Sequence, residues 1–215
     1  VSPLYTWKNE DGNQRYRDGL TYARYLVKET ELPFYTGYGS VTHFYLQENQ
    51  QIPDEAVAFV GIGDYVAMRL TGSRKAVVHK TMAASFGGYH MAEGRFELDK
   101  LAAAGVDISC YPAVAREEGQ AVGTVVMEQT AVLPAGGTAE PEAIPVFCAV
   151  GDNQASFLGA VKDKEHSVSI NVGTGSQVSV YSGEWDPAAG TDIRPWIDHG
   201  YLYVGASLNG GKVYE

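Results

Sequence analysis

Residues Ile144 to Val161 read IPVFCAVGDNQASFLGAV, an apolar run that closes on Gly151-Asp152 and passes without a linker into a stretch of small and apolar residues. The first half has the composition of a buried strand and the second that of a helix, so the segment predicts a strand, a sharp turn and a helix. In an open α/β sheet, ligands sit beyond the carboxyl ends of the strands. Asp152 therefore stands where a carboxylate reaches a ligand. The same placement also suits a residue that only caps the following helix, because its carboxylate accepts the unpaired amides of the first turn.

Working towards the C-terminus, SVSINVGTGSQVSVYSG (residues 167–183) alternates apolar and polar residues on either side of Gly173-Thr174-Gly175. Glycines at such a bend let backbone amides approach an anion, and a threonine hydroxyl adds a donor suited to phosphate oxygens. A plain hairpin turn has the same sequence signature. YLYVGASL (201–208) predicts a further strand, as does AVGTVVMEQTAVL (121–133), and LPAGGTAEPEA (133–143) is expected to be a surface loop.

Working the other way, the texture becomes helical. Tyr16, Leu20, Ala23, Leu26 and Val27 recur at spacings of three and four, predicting a helix over Gln14–Glu29. A second helix is expected from an N-cap at Ser40 to before Pro53, and a short strand over Val57–Val60. A third helix should run from Asp64 to Leu70 with Gly72 at its C-cap, and a fourth through FELDKLAAAG to Gly105. Gly61-Ile62-Gly63 lacks the third glycine of a dinucleotide fingerprint and is assigned to packing, as is the small-residue segment MAASFGGYH (82–90). The charged connection Lys162–His166 divides the helical part from the strands, which places one domain over 1–162 and the start of another over 163–215.

Charge and composition exclude several classes. Sixteen Lys and Arg against twenty-six Asp and Glu leave a net charge of −10, which disfavours nucleic acid or an anionic membrane as a partner and favours a small molecule. No apolar run reaches the roughly 18–20 residues of a membrane span, and the first residues lack a secretory pattern, so a soluble protein is expected. Cys110 and Cys148 form no disulfide framework or CxxC motif, pointing to a reducing cytoplasm. The five histidines show no metal-ligand spacing, and no metal ligand is assigned. A homodimer is left open.

The start of the chain, LYTWKNEDGNQRYRDG (4–19), sets Trp7 beside Asn9, Glu10 and Asp11. An aromatic face with planar amides and carboxylates suits the C–H face and hydroxyls of a sugar or polyol. A solvated turn following a buried tryptophan is the alternative.

Taken in order, TWKNEDG, DYVAMRLTG, VGDNQASFLGA and INVGTGSQVSV resemble the sugar segment, the helix ending in Leu-Thr-Gly, the catalytic Gly-Asp segment and the second phosphate segment of the FGGY carbohydrate kinases. The resemblance extends over nearly the whole chain. MAASFGGYH, Gln154-Ala155-Ser156 and GASLNGG are most similar to sedoheptulokinase-like members. It implies an α/β, actin-like (ribonuclease-H-like) two-domain fold of which this chain is part, with ATP, Mg2+ and a sugar meeting in the cleft. Within it Asp152 would be the general base, and Trp7, Asn9, Asp11, Asn153 and Gln154 would line the sugar site. Gly173, Thr174 and Gly175 would face the phosphates of ATP. Xylulose or glycerol are alternative substrates, and a non-catalytic sugar-binding module is the alternative function.

The sequence departs from the family in three places. Asn9 stands where the family's Trp-x-Asp has its carboxylate, and the carboxylates here are Glu10 and Asp11. The Asp-x-Gly-Thr phosphate loop and the adenine-binding glycine segment do not occur. Because the chain starts at Val1 and stops at NGGKVYE, it is expected to be an internal piece that is inactive by itself.

Overall fold

The computed structural model describes residues 2–117, 119–127, 142–186, 190–207 and 210. Among the described residues six α-helices are interspersed with ten strands. The helices are α1 (Tyr22–Thr30), α2 (Gly39–Glu48), α3 (Ile62–Thr71), α4 (Lys80–Phe86), α5 (Leu98–Ala103) and α6 (Asp152–Ala160). The strands are β1 (Val77–Val78), β2 (Tyr89–His90), β3 (Arg95–Phe96), β4 (Ala113–Val114), β5 (Ala121–Met127), β6 (Glu142–Phe147), β7 (Val168–Val172), β8 (Ser176–Ser182), β9 (Asp192–Pro195) and β10 (Tyr201–Ser207).

α1 is shorter than the periodicity predicts. Arg17-Asp18-Gly19-Leu20 forms a tight turn, with Asp18 at φ 53° and Gly19 at φ 75°, and Arg15 bridges Thr21 across it. An Asp-Gly pair suits consecutive positive φ angles. Thr21 then caps α1, its hydroxyl accepting the Arg24 amide at 3.3 Å. α2 starts one residue before Ser40, which is not its cap. The Ser40 hydroxyl is buried and instead donates to the Gly87 carbonyl at 3.2 Å while accepting from Tyr111 Oη at 2.8 Å.

The packing of α1, α2 and α5 follows from their apolar faces. Leu26, Val41 and Leu101 have no exposed surface and Phe44 has 1%, each worth roughly 1.5–3 kcal/mol on burial. Tyr16 closes this cluster, its ring edge-on to Phe44 and its hydroxyl donating to Glu48 at 2.5 Å.

Val57–Val60 forms no strand; its link here is the Phe59 amide, which donates to the Cys110 carbonyl at 2.8 Å. α3 ends at Gly72, which takes φ 68° at the C-cap as expected. β5 and β6 pair antiparallel, and β6 stops at Phe147, leaving Cys148–Gly151 as an extended link to Asp152. The predicted loop over 133–143 lies largely outside the described residues, as do 128–132, Leu208–Asn209 and 211–215.

β7, β8, β10 and β9 form one antiparallel sheet in that order. Its register sets Val168 opposite Val180 and Ile170 opposite Val178, so these share one face, and that face is exposed. The other face carries Leu202 and Val204, which pack with Trp196 and with Phe157 of α6. The helix that begins at Asp152 is thus anchored in the core of the following sheet. The Lys162–His166 connection is held there too, because Lys164 Nζ lies 3.2 Å from the Asp198 carboxylate and over the Tyr181 ring.

Candidate functional site

The extended link Cys148–Gly151 is held from two sides. On one, Thr81 of α4 accepts the Gly151 amide on its hydroxyl at 3.0 Å. Thr81 is itself buried, and His79, the cap of α4, holds it: His79 Nδ1 lies 2.9 Å from Thr81 Oγ1 and accepts the Thr81 amide. On the other side the first turn of α3 presses against Ala149. A Cβ on Gly63 would fall 2.6 Å from the Ala149 Cβ, which explains a glycine there by close packing. Neither Thr81 nor His79 stands out in the sequence, since a histidine and a threonine two residues apart carry no spacing signal until the fold sets them under Gly151.

Asp152 begins α6 and its side chain is exposed. The Asn153 backbone and side-chain amides both donate to its Oδ1, at 2.8 and 3.1 Å. Asn153 thus orients the carboxylate, while the chain before it is fixed by Gly63 and Thr81. Gln154 faces inward. It is 2% exposed, its amide donates to the Pro195 carbonyl at 2.9 Å, and its Oε1 packs against Gly151, where a Cβ would lie 2.5 Å away. Gln154 couples the Asp152 turn to β9.

The first segment is exposed, and Trp7, at 71% exposure, is not the buried tryptophan that a simple solvated turn required. Lys8 Nζ sits 5.2 Å from its ring. Asn9 and Asp11 bond to each other twice, Asn9 Nδ2 to Asp11 Oδ2 at 2.9 Å and the Asp11 amide to Asn9 Oδ1 at 3.0 Å. An amide thus stands paired with a carboxylate two residues on. Gln14 donates to the same Asp11 carboxylate, and Asn13 donates to Glu10.

This segment rests on the approach to α2, where Thr36 donates to the Asn9 carbonyl at 3.1 Å. Tyr38 follows, its hydroxyl pushed up in pKa by burial and then by the negative charge of Asp192 on β9. β9 therefore meets both regions in different ways: its Pro195 accepts Gln154 from beside Asp152, and the charge of its Asp192 acts on Tyr38.

Gly173-Thr174-Gly175 is the hairpin tip between β7 and β8, in the same sheet as β9. It is exposed and bears a single side chain beyond hydrogen, the Thr174 hydroxyl. The Gly173 amide closes the turn on the Gly175 carbonyl at 2.8 Å, and the Gly210 amide donates to the Thr174 carbonyl at 2.8 Å, with no room for a side chain on Gly210 beside the Gly173 and Gly175 carbonyls. A turn so bare of side chains fits phosphate oxygens, which need close backbone approach and hydroxyl donors.

Asp64 is the functional candidate that sequence reasoning missed. In the first turn of α3 it is 1% exposed, and among the described residues its two oxygens are the buried side-chain atoms without a hydrogen-bond partner. Desolvation raises its pKa to about 7; the Gly61 and Asp64 amides pull the other way, but neither reaches hydrogen-bond geometry. Burial, then the charge of Asp64, also raises the Cys148 thiol.

Comparison with known proteins places this arrangement. Sedoheptulokinase from Mus musculus is 29% identical over 99% of the chain, and sedoheptulokinase from Homo sapiens is 27% identical over the same share. The chain spans 43% of the length of either relative. Among solved structures, the xylulose kinase from Rhodospirillum rubrum superposes with a TM-score of 0.66 at 20% identity, covering 88% of this chain and 38% of that one. Glycerol kinase from Plasmodium falciparum with ADP gives a TM-score of 0.62 at 18% identity over 86% of this chain and 37% of that one. These likenesses show the actin-like fold expected from the sequence. Residues 10–159 match the N-terminal domain model of the FGGY family of carbohydrate kinases, and the chain belongs to that family.

Proposed function

We propose that the chain supplies the sugar site, the catalytic base and one phosphate-binding turn of an ATP-dependent carbohydrate kinase acting in the cytoplasm. The observation that carries this reading is the placement of Asp152: exposed, oriented by Asn153, and delivered by a link held between Gly63 and Thr81. An oriented carboxylate is suited to take the proton of an attacking hydroxyl. Trp7, Asn9 and Asp11 offer the sugar an aromatic face and polar groups, and Asn153 offers an amide beside the base. Gln154 contributes from behind, by holding the turn to β9.

The proposed division sets residues 1–162 in the sugar domain and 163–215 in the nucleotide domain. Gly173, Thr174 and Gly175 would meet the phosphates, the two glycines allowing close backbone approach and the Thr174 hydroxyl donating to an oxygen. ATP with Mg2+ supplies the transferable phosphoryl group and neutralises its charge. No residue of this chain is assigned to the metal.

The substrate class is a ketose or polyol; the likeness to sedoheptulokinases at 27–29% identity supports sedoheptulose as the first candidate, with xylulose and glycerol next. The 215 residues alone are proposed to turn over no ATP. The test is ADP release on a panel of ketoses, ketoheptoses and polyols, using a polypeptide of the relatives' full length. Asp152→Ala should lower kcat by about 10²–10⁴-fold while the fold survives. Near-normal turnover by that variant would reduce Asp152 to a helix cap.

A further inference from the structure

The first turn of α3 combines two features that the proposed chemistry does not use. Asp64 is sealed from solvent without a partner, and Gly63 touches Ala149 so closely that not even a methyl group fits between them. Ala149 stands three residues before Asp152, in the link that delivers it. Asp64 Oδ2 lies over the helix entry, 3.2 Å from where a Gly61 Cβ would be, and Met82 of α4 comes within 3.1 Å of the same point.

The surroundings offer no compensating charge among the described residues. Cys148 is the titratable neighbour on the link. β5, which packs on α3, has no titratable side chain, and Glu142 of β6 pairs with Met127 at the end of the ladder remote from Cys148. From α4, the residues that meet Gly61 are the apolar Met82 and Phe86.

An uncharged carboxylic acid is tolerated in such a place, whereas a carboxylate is not. A negative charge appearing there draws in water, and the route to water is separation of the α3 entry from the strand link it covers. We propose that Asp64 is a positioning residue for Asp152: held as a neutral acid, it keeps the first turn of α3 seated on the Cys148–Gly151 link, and loss of its proton unseats that turn and loosens the link. The proposal rests on the reading of Asp152 as the base.

The test has two arms. Amide hydrogen exchange is measured on the 215-residue chain at about pH 6 and pH 8, corrected for the intrinsic pH dependence. It follows the Gly151 amide, bonded to Thr81, and the Ala155 amide, bonded to Gly151. Protection at both should fall about tenfold or more in the wild type, and stay level in Asp64→Asn. The Val106 amide, bonded to Leu101 in the other core, reports on the global loss of stability; in the wild type it should fall less than Gly151 and Ala155, and in Asp64→Asn it should stay level. Asp64→Ser serves as a second uncharged variant should Asp64→Asn fail to fold. Equal behaviour of wild type and variants at Gly151, or an equal fall at Val106, would overturn the proposal.

The second arm is the pH profile of the full-length kinase, where kcat should fall over the same interval with KM unchanged, and Asp64→Asn should remove that limb. A wild-type profile shared by the variant would overturn the catalytic consequence. Absence of sugar phosphorylation in every protein tested counts against the kinase reading, while the exchange arm still decides whether Asp64 seats the link.

Discussion

Replacing Asp64 with asparagine should make the protein's stability less sensitive to pH. In the unfolded chain the group ionises near 3.8, whereas burial in the native state holds its proton until about 7. Between those values the native state binds the extra proton, so stability falls as pH rises from about 4 to about 7 and is flat on either side. Each tenfold difference in proton affinity between the two states is worth about 1.36 kcal/mol. From about pH 5 to pH 8 the native protein crosses about two pH units of that interval, a loss of about 3 kcal/mol at most. Asp64→Asn removes this proton linkage while keeping shape and polarity. Urea unfolding followed by helical circular dichroism at both pH values, on both proteins, isolates the group as a double difference. The variant should gain about 2–3 kcal/mol on the wild type between acid and alkaline conditions. If the difference between the two proteins is the same at both pH values within about 0.5 kcal/mol, Asp64 is solvated or paired and the reasoning fails.

Gly63→Ala should cost about 1–3 kcal/mol by overpacking against Ala149, and the double variant with Ala149→Gly should recover most of it in a thermal melt. Gln154→Leu should cost about 1–3 kcal/mol in urea unfolding, because it leaves the Pro195 carbonyl without its buried donor, and an unchanged midpoint would show that the amide is replaceable there.

Much of the site was legible in the sequence because its signals are local. A glycine and an aspartate between an apolar run and a small-residue stretch place Asp152 at a helix start, and the chain does begin α6 there. Two glycines around Thr174 place a bare hairpin tip, and the strands on either side pair antiparallel. Gly63 was assignable to packing, though not its partner. The errors have different causes: the Asp18-Gly19 turn cuts the first helix locally although the apolar spacing runs through it, whereas Ser40 bonds buried groups remote in sequence instead of capping.

What the sequence determined by itself was the kind of protein: an acidic α/β chain whose ordered segments match those of the FGGY kinases over most of its length. Tertiary structure alone decided which way the residues around Asp152 face and what holds them. Gln154 turns inward to Pro195, forty-one residues away, and Thr81, seventy residues upstream, takes the Gly151 amide. Asp64 becomes a buried acid with no partner because distant segments pack on the first turn of α3. Helix starts and hairpin tips are set by neighbours in the chain, whereas burial and desolvation depend on which distant segments fold against a residue, and those are not written in local spacing.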